Sequence, residues 1–151
     1  MHGARAATLA AMNGSGARRM LPLTAVQRDA VERGTFVRID LPAAVVLADG
    51  TRAASVLVGR ASGVLRAYAN VCRHQAIPLD ARAEDELAGA MADDGVHLLC
   101  RSHGAIYRPD DGMCVSGPCL GAHLLAIAVA PADGDPDGDL AVDLPLGERP
   151  P

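Results

Sequence analysis

Short apolar and β-branched runs alternate with Gly- and Asp-rich segments from Thr35 onward, and most runs have the length of a β-strand. The runs lie at residues 35–41, 44–47, 55–58, 64–69, 96–100, 124–129 and 140–144. Pairs such as Asp49-Gly50 between them are typical of tight hairpins, because glycine tolerates the positive φ that such turns need. The pattern predicts a compact antiparallel all-β protein, in which only Ala83–Met91 has a helix-forming composition.

The composition predicts one soluble domain. The 151 residues, half of them apolar, suffice for one hydrophobic core and not for two domains of ordinary size. No apolar run approaches the length of a membrane span. The net charge of −4 disfavours nucleic acid as a partner, because such binding depends on neutralising phosphates. All 14 basic residues are arginine and alanine is abundant, which suggests GC-rich codons and a bacterial source.

The two ends of the chain lack a core-like pattern. Residues 1–23 are rich in Ala, Gly, Arg and Ser and predict a flexible N-terminal tail, and residues 146–151 predict a C-terminal tail. The Arg18-Arg19 pair invites an export interpretation, and the acid-free start resembles an organelle transit peptide. The favoured interpretation is that translation begins at Met20. We therefore expect a cytoplasmic protein.

Two short segments each pair one thiol with one imidazole: CRH at residues 72–74 and CRSH at residues 100–103. Each follows a predicted strand, so two loops of one rigid sheet can bring the four side chains to a metal. Structural zinc usually takes matched pairs, as in C-x₂-C with H-x₃-H. A [2Fe-2S] cluster has two irons, and mixed segments allow both cysteines to bind one iron and both histidines the other. The spacing favours iron over zinc.

These segments, within VCRHQAIPLD and LLCRSHGAIYRPDDGMCVSGPCLGAHL, resemble the Rieske [2Fe-2S] proteins over about residues 34–145. The resemblance implies a Rieske-type antiparallel β-sandwich. A smaller cluster-binding subdomain, at about residues 70–120, would consist of two ligand loops and a proline loop. The resemblance also implies that Cys72 and Cys100 bind the inner iron, and that His74 and His103 bind the outer iron near the surface.

Four further positions match the family pattern around the cluster. Gly104 would let the second ligand loop pass close to the cluster, and Tyr107 would bring a hydroxyl near a ligand sulfur. Gly117 and Pro118 belong to the proline loop that would cover it.

The chain departs from the family pattern in three ways. The 25 residues between His74 and Cys100 are more than is usual, which predicts an insertion at about residues 80–95 that contains the helix-like segment. The insertion either projects from the base of the ligand loops or is a solvated excursion. Respiratory members carry an extra cysteine in each ligand loop, where this chain has Ile77 and Ser102, and a family serine is Ala105 here. In lacking these cysteines and this serine, the chain resembles the ferredoxin and oxygenase branch of the family more than the respiratory branch.

The two remaining cysteines, Cys114 and Cys119, flank the turn at residues 115–118. A disulfide between them is geometrically conceivable, but a cytoplasmic location favours free thiols. Arg73 and Arg101 follow the ligand cysteines directly. They either stabilise an added electron and steer an acidic partner, or are solvated surface residues.

The predicted function is one-electron transfer, as a small ferredoxin-like carrier between a reductase and an oxygenase or other acceptor. No catalytic residue is expected. Two alternatives remain: a non-catalytic subunit of a Rieske oxygenase, whose mononuclear iron site would belong to another chain, and a redox-sensing or structural metal module.

Overall fold

The computed structural model describes residues 17–134 and 138–146, which form nine strands and one helix. The helix, α1, is Ala25–Glu32. The strands are β1 Ala17–Leu21, β2 Val37–Val46, β3 Arg52–Ala61, β4 Val64–Ala69, β5 Leu98–Leu99, β6 Ile106–Tyr107, β7 Cys114–Ser116, β8 Ala126–Pro131 and β9 Leu140–Leu144.

Six strands form one antiparallel sheet in the order β1-β9-β8-β4-β3-β2. The residue after β2, Leu47, forms a bridge with Leu146 after β9, so the sheet curls until it is nearly closed. The predicted runs at 35–41 and 44–47 belong largely to one strand, β2, whose register against β3 shifts between Asp40 and Val45. Pro42 lies in this irregular stretch, where its missing N–H costs no ladder hydrogen bond. The antiparallel all-β fold is confirmed.

The remaining strands form a small sheet, β5-β6-β7, against one face of the large sheet. β3 belongs to the large sheet, but its alternate side chains enter two different hydrophobic cores. Val56 and Val58 pack inside the large sheet, whereas Leu57 packs with Leu79 and Tyr107 of the smaller unit. Because both faces of β3 are covered, its central residues form a continuous apolar run rather than an alternating one.

The prediction of a flexible N-terminal tail over residues 1–23 is wrong for residues 17–21. β1 pairs with β9 from Ala17–Leu144 to Leu21–Leu140, and the Leu21 side chain is buried. The helix α1 was not predicted, although its capping box is visible in the sequence: Thr24 accepts from the Gln27 N–H and the Gln27 side chain accepts from the Thr24 N–H. Residues 1–16 and 147–151, where the rest of both predicted tails falls, lie outside the described residues.

The predicted helix at Ala83–Met91 is also wrong. The segment consists of turns, in which the N–H groups of Leu87 and Ala88 bond to the Asp85 carboxylate. One of its carbonyls bonds to the large sheet, since the Leu87 carbonyl accepts from the Arg38 N–H. Met91 is buried, and its Sδ accepts a hydrogen bond from the Phe36 N–H at an N···S distance of 3.4 Å. The insertion therefore packs against β2 instead of projecting from the fold.

Candidate metal centre

The first ligand loop, residues 70–80, leaves β4 and is anchored by buried Asn70. The Asn70 amide donates to Ser55 Oγ and to Asp80 Oδ1, both at 3.0 Å, and its oxygen accepts from the Leu79 N–H at 2.9 Å. Asp80 is in turn paired with Arg38 at 3.1 Å. Both ends of the loop are thus held to the large sheet, and residues 73–76 between them are exposed.

The second ligand loop, residues 100–104, joins β5 to β6. The Cys100 N–H donates to the Ala105 carbonyl and the Gly104 N–H donates to the Cys100 carbonyl, which closes a tight turn. Gly104 has φ +79°, a conformation that residues with a Cβ rarely adopt. The Arg101 N–H donates to the Leu79 carbonyl at 2.8 Å, so a backbone hydrogen bond connects the two loops.

The four predicted metal ligands lie as two pairs on these two loops. Cys72 and Cys100 are buried, and their thiols interact with each other. His74 and His103 are exposed, with ring centroids 4.9 Å apart and planes at 82°. Within residues 17–134 and 138–146, no three His, Cys, Asp or Glu side chains cluster as a single metal ion would require. The donors instead form an inner thiol pair and an outer imidazole pair.

The two thiols differ in acidity. Burial raises the pKa of the Cys100 thiol. Burial also acts on Cys72, but hydrogen bonds from the Tyr107 hydroxyl and the His74 N–H outweigh it and lower the pKa of the Cys72 thiol. The local donors therefore favour a thiolate at Cys72, the form in which cysteine binds metal.

Tyr107 lies at the base of the loops, fully buried. Its hydroxyl is 3.2 Å from Cys72 Sγ and accepts from the Arg73 N–H at 3.0 Å. Burial and the contacts with Cys119 and Cys72 raise the pKa of Tyr107 well above its usual range. The hydroxyl consequently keeps its proton and can donate it to the Cys72 sulfur, which is the position expected from the family resemblance.

The proline loop, residues 116–121, presses on the second ligand loop. Gly117 has φ +106°, and a Cβ added there would lie 2.8 Å from the Ala105 Cα. Pro118 is exposed next to it. Glycine is thus required at 117 both for its backbone conformation and for the close approach of the two loops.

Replacing Gly117 with alanine should displace the proline loop and destabilise the protein by about 2 kcal/mol, because it combines backbone strain with a backbone clash. Gly121→Ala is the matched control, since Gly121 has φ +89° but nothing within 4 Å of an added Cβ. Urea unfolding of both variants measures the difference. Equal losses of stability would contradict a close-approach role for Gly117.

The two candidate arginines have different environments. Arg101 donates to the carbonyls of Gly89 and Met91 at 3.0 and 2.6 Å, so it holds the insertion under the second loop. Arg73 pairs with Asp49 at 3.2 Å. Sequence reasoning missed the role of Arg101 because the carbonyls that it binds belong to a segment expected to be helical.

Sequence reasoning also missed the contact that connects the remaining cysteines to the site. Cys119 Sγ lies 3.2 Å from the Tyr107 hydroxyl and 3.3 Å from Cys114 Sγ. The Tyr107–Cys114 backbone pair between β6 and β7 brings the turn alongside Tyr107. The spacing of the two cysteines around the turn was the available signal.

Solved structures of known proteins share this fold. The terminal oxygenase of carbazole 1,9a-dioxygenase from Nocardioides aromaticivorans IC177 matches with TM-score 0.50 and 23% identity, over 89% of this chain and 31% of that chain. A chain from the complex of reduced oxygenase and oxidized ferredoxin in carbazole 1,9a-dioxygenase matches with TM-score 0.53 and 20% identity, over 88% and 97%. The protein therefore spans about a third of the length of the oxygenase.

A putative NADH-dependent nitrite reductase small subunit from Mycobacterium tuberculosis is also similar, with TM-score 0.48 and 17% identity over 85% of this chain and 95% of that chain. No curated protein sequence matches the chain. Within the residues that the structure describes, no helix is long and apolar enough to cross a membrane.

The model of the Rieske [2Fe-2S] domain family matches residues 25–131, a stretch that contains both ligand loops and the proline loop. The family prediction is confirmed, and with it the [2Fe-2S] cluster as the cofactor. A buried pair of thiols beside an exposed pair of imidazoles suits this cofactor, whose two irons take different ligands. The chain belongs to the Rieske [2Fe-2S] domain family, whose members carry electrons through such a cluster.

Proposed function

We propose that the protein is a small one-electron carrier of the ferredoxin and oxygenase branch, with Cys72, Cys100, His74 and His103 as the ligands of its cluster. The observation that carries the proposal is the division of the donors into a buried thiol pair and an exposed imidazole pair 4.9 Å apart. The two cysteines would hold the inner iron and the two histidines the outer iron. No side chain is assigned a catalytic step.

The cluster, when bound, takes up and releases one electron. Two thiolates with two neutral imidazoles carry two fewer negative charges than four thiolates, so the ligand set favours the reduced state more strongly. This ligand type gives potentials of roughly −150 to +300 mV. Tyr107 adds to the effect because its hydroxyl donates to Cys72 Sγ and stabilises negative charge on that sulfur.

The exposed end of the site is the proposed route for electrons. His74 and His103 lie at the surface, and the proline loop beside them exposes Pro118 and Leu120, the latter 70% accessible. Exposed apolar side chains beside exposed imidazoles suit brief contact with another redox protein, because the centre of a protein interface is typically apolar. We assign the partners as an electron-donating reductase and an accepting oxygenase in the cytoplasm, a class suggested by the ferredoxin and oxygenase complex of similar fold.

A second candidate is a subunit or part of a Rieske oxygenase, since the oxygenase of similar fold is about three times as long as this chain. The two candidates differ in what the isolated chain can do. A carrier accepts and passes on electrons by itself, whereas an oxygenase part needs the remaining oxygenase polypeptide for any turnover.

The test is purification without air, followed by iron and acid-labile sulfide assays and by spectra of both redox states. We expect two irons and two sulfides per chain, and reduction followed by re-oxidation by an oxygenase component. Zinc without sulfide would overturn the proposal in favour of a structural metal module. A loaded cluster that exchanges electrons with no separate protein would favour the oxygenase-part alternative.

The double variant Cys114→Ser, Cys119→Ser should load as much iron as the unaltered protein, because the four proposed ligands remain. The thiol pair lies beyond Tyr107, which separates it from Cys72. Iron and sulfide content of the folded variant measures this. Loss of the cluster with an unchanged circular dichroism spectrum would make the two cysteines either ligands or an essential disulfide.

A further inference from the structure

Cys114 and Cys119 form a thiol pair on the two limbs of the turn that begins the proline loop. Their sulfurs are 3.3 Å apart, and Cys114 Sγ also donates to the Ser116 carbonyl. The backbone holds the limbs together: the Cys114 N–H donates to the Ala122 carbonyl, and the Ala122 N–H donates to the Cys119 carbonyl. A disulfide has its sulfurs about 2.05 Å apart, so closure needs about 1.3 Å of approach from side chains that already face each other.

The pair differs from the other two cysteines in its availability. Under the proposed function, on which this inference rests, Cys72 and Cys100 are committed as ligands, so Cys114 and Cys119 are the two free thiols of the loaded protein. Cys119 is partly exposed and Cys114 is buried. A small oxidant can therefore reach Cys119 first. Cys114 Sγ lies 3.3 Å from Cys119 Sγ, on its buried side.

The geometry points to a reversible disulfide between Cys114 and Cys119 that tunes the cluster through the Tyr107 hydroxyl. The oxidant is a low-molecular-weight disulfide, RSSR. Cys119 Sγ attacks one sulfur of RSSR and releases one RSH, and Cys114 Sγ then attacks Cys119 Sγ in the mixed disulfide and releases a second RSH. Two electrons pass from the thiol pair to RSSR, and the two thiol protons leave on the two RSH molecules.

The Tyr107 hydroxyl transmits the change because it has one proton and two sulfur neighbours. It lies 3.2 Å from both Cys72 Sγ and Cys119 Sγ. In the dithiol state Cys119 donates its own proton to Cys114, so its sulfur competes with Cys72 for the Tyr107 proton. A disulfide sulfur is bonded to the second sulfur and is drawn toward Cys114, which leaves the proton to Cys72.

The direction of the effect follows from this competition. A stronger hydrogen bond to the Cys72 sulfur stabilises the more negative, reduced cluster and raises its potential. Under oxidising conditions the protein would therefore retain its electron more firmly and pass it on less readily. The disulfide thus slows electron delivery, and its reduction to the two thiols restores the faster delivery.

The experiment treats the cluster-loaded protein with glutathione disulfide in the absence of air and follows intact mass, cluster content and midpoint potential. We expect loss of the mass of two hydrogen atoms, an unchanged iron content and a rise in the potential, all reversed by dithiothreitol. Fast protein-film voltammetry reads the potential before the disulfide is reduced. No disulfide, loss of the cluster on oxidation, or an unchanged or lower potential would overturn the proposal.

Single variants separate the two steps. Cys114→Ser should stop at a mixed disulfide carrying one glutathione, whereas Cys119→Ser should remain unmodified because the buried thiol is not reached. In Tyr107→Phe the disulfide should still form, but the potential should no longer respond to it. A response that persists in Tyr107→Phe would exclude transmission through the hydroxyl. A preparation that loads no iron would contradict the proposed function and not the disulfide. Because Cys72 and Cys100 are then also free, the disulfide in that preparation is assigned by the masses of the peptides that contain Cys114 and Cys119.

Discussion

Replacing His103 with alanine should abolish the native Rieske cluster while the six-stranded sheet stays folded. The imidazole is exposed at the tip of a loop closed by its own backbone hydrogen bonds, so its removal leaves no cavity in either core. The outer iron would lose one of only two protein ligands. His74→Ala should have the same effect, since His74 is the exposed partner of His103.

Iron and sulfide content and the spectrum of the reduced variants measure this loss. The matched control is His123→Ala, because His123 is also exposed but lies next to β8 and forms its backbone bridge with Met113. The control should bind iron fully. A His103→Ala protein with the unaltered spectrum and potential would refute the assignment of the ligands.

Asn70→Ala should lower the free energy of unfolding by about 3 kcal/mol, the largest loss expected from a single polar side chain here. Asn70 is 1% exposed and satisfies three buried groups: Ser55 Oγ, Asp80 Oδ1 and the Leu79 N–H. Truncation leaves all three without this partner. The Asp80 carboxylate retains Arg38 but loses a donor in a buried position.

Urea unfolding of the purified variants without air measures the effect. Ser55→Ala is the graded control, because it removes only one of the three hydrogen bonds, and it should cost about 1 kcal/mol. Because Asn70 closes the first ligand loop, its variant should also lose iron faster to a chelator than Ser55→Ala does. Equal stability losses in the two variants would show that Asn70 does not act as the anchor of the loop.

The first ligand loop contains both a feature that the sequence predicts, its Cys/His pair, and one that it does not, the Asn70 anchor. The two Cys/His segments are visible because metal-ligand chemistry is specific and the two ligands within each segment lie within three residues of each other. Asn70, two residues before Cys72, carries no such signal. Its importance depends on Ser55 and Asp80, which reach it only through the pairing of β3 with β4 and the return of the loop.

The amino-acid sequence by itself determined the all-β class, most of the strands of the large sheet and the mixed pairs of thiol and imidazole, because period-two hydrophobicity and ligand chemistry are local properties. Only the tertiary structure decided that residues 17–21 form a strand, that residues 83–91 are turns held by Arg101 and β2, and that Cys119 reaches Tyr107. In each case the stabilising partner is distant in the sequence or on another strand. β9 pairs with residues 17–21, Arg101 of the second ligand loop binds the turns at 83–91, and Tyr107 of β6 contacts Cys119. Local propensity cannot encode such pairings, since they depend on which surfaces the folded sheets bring into contact.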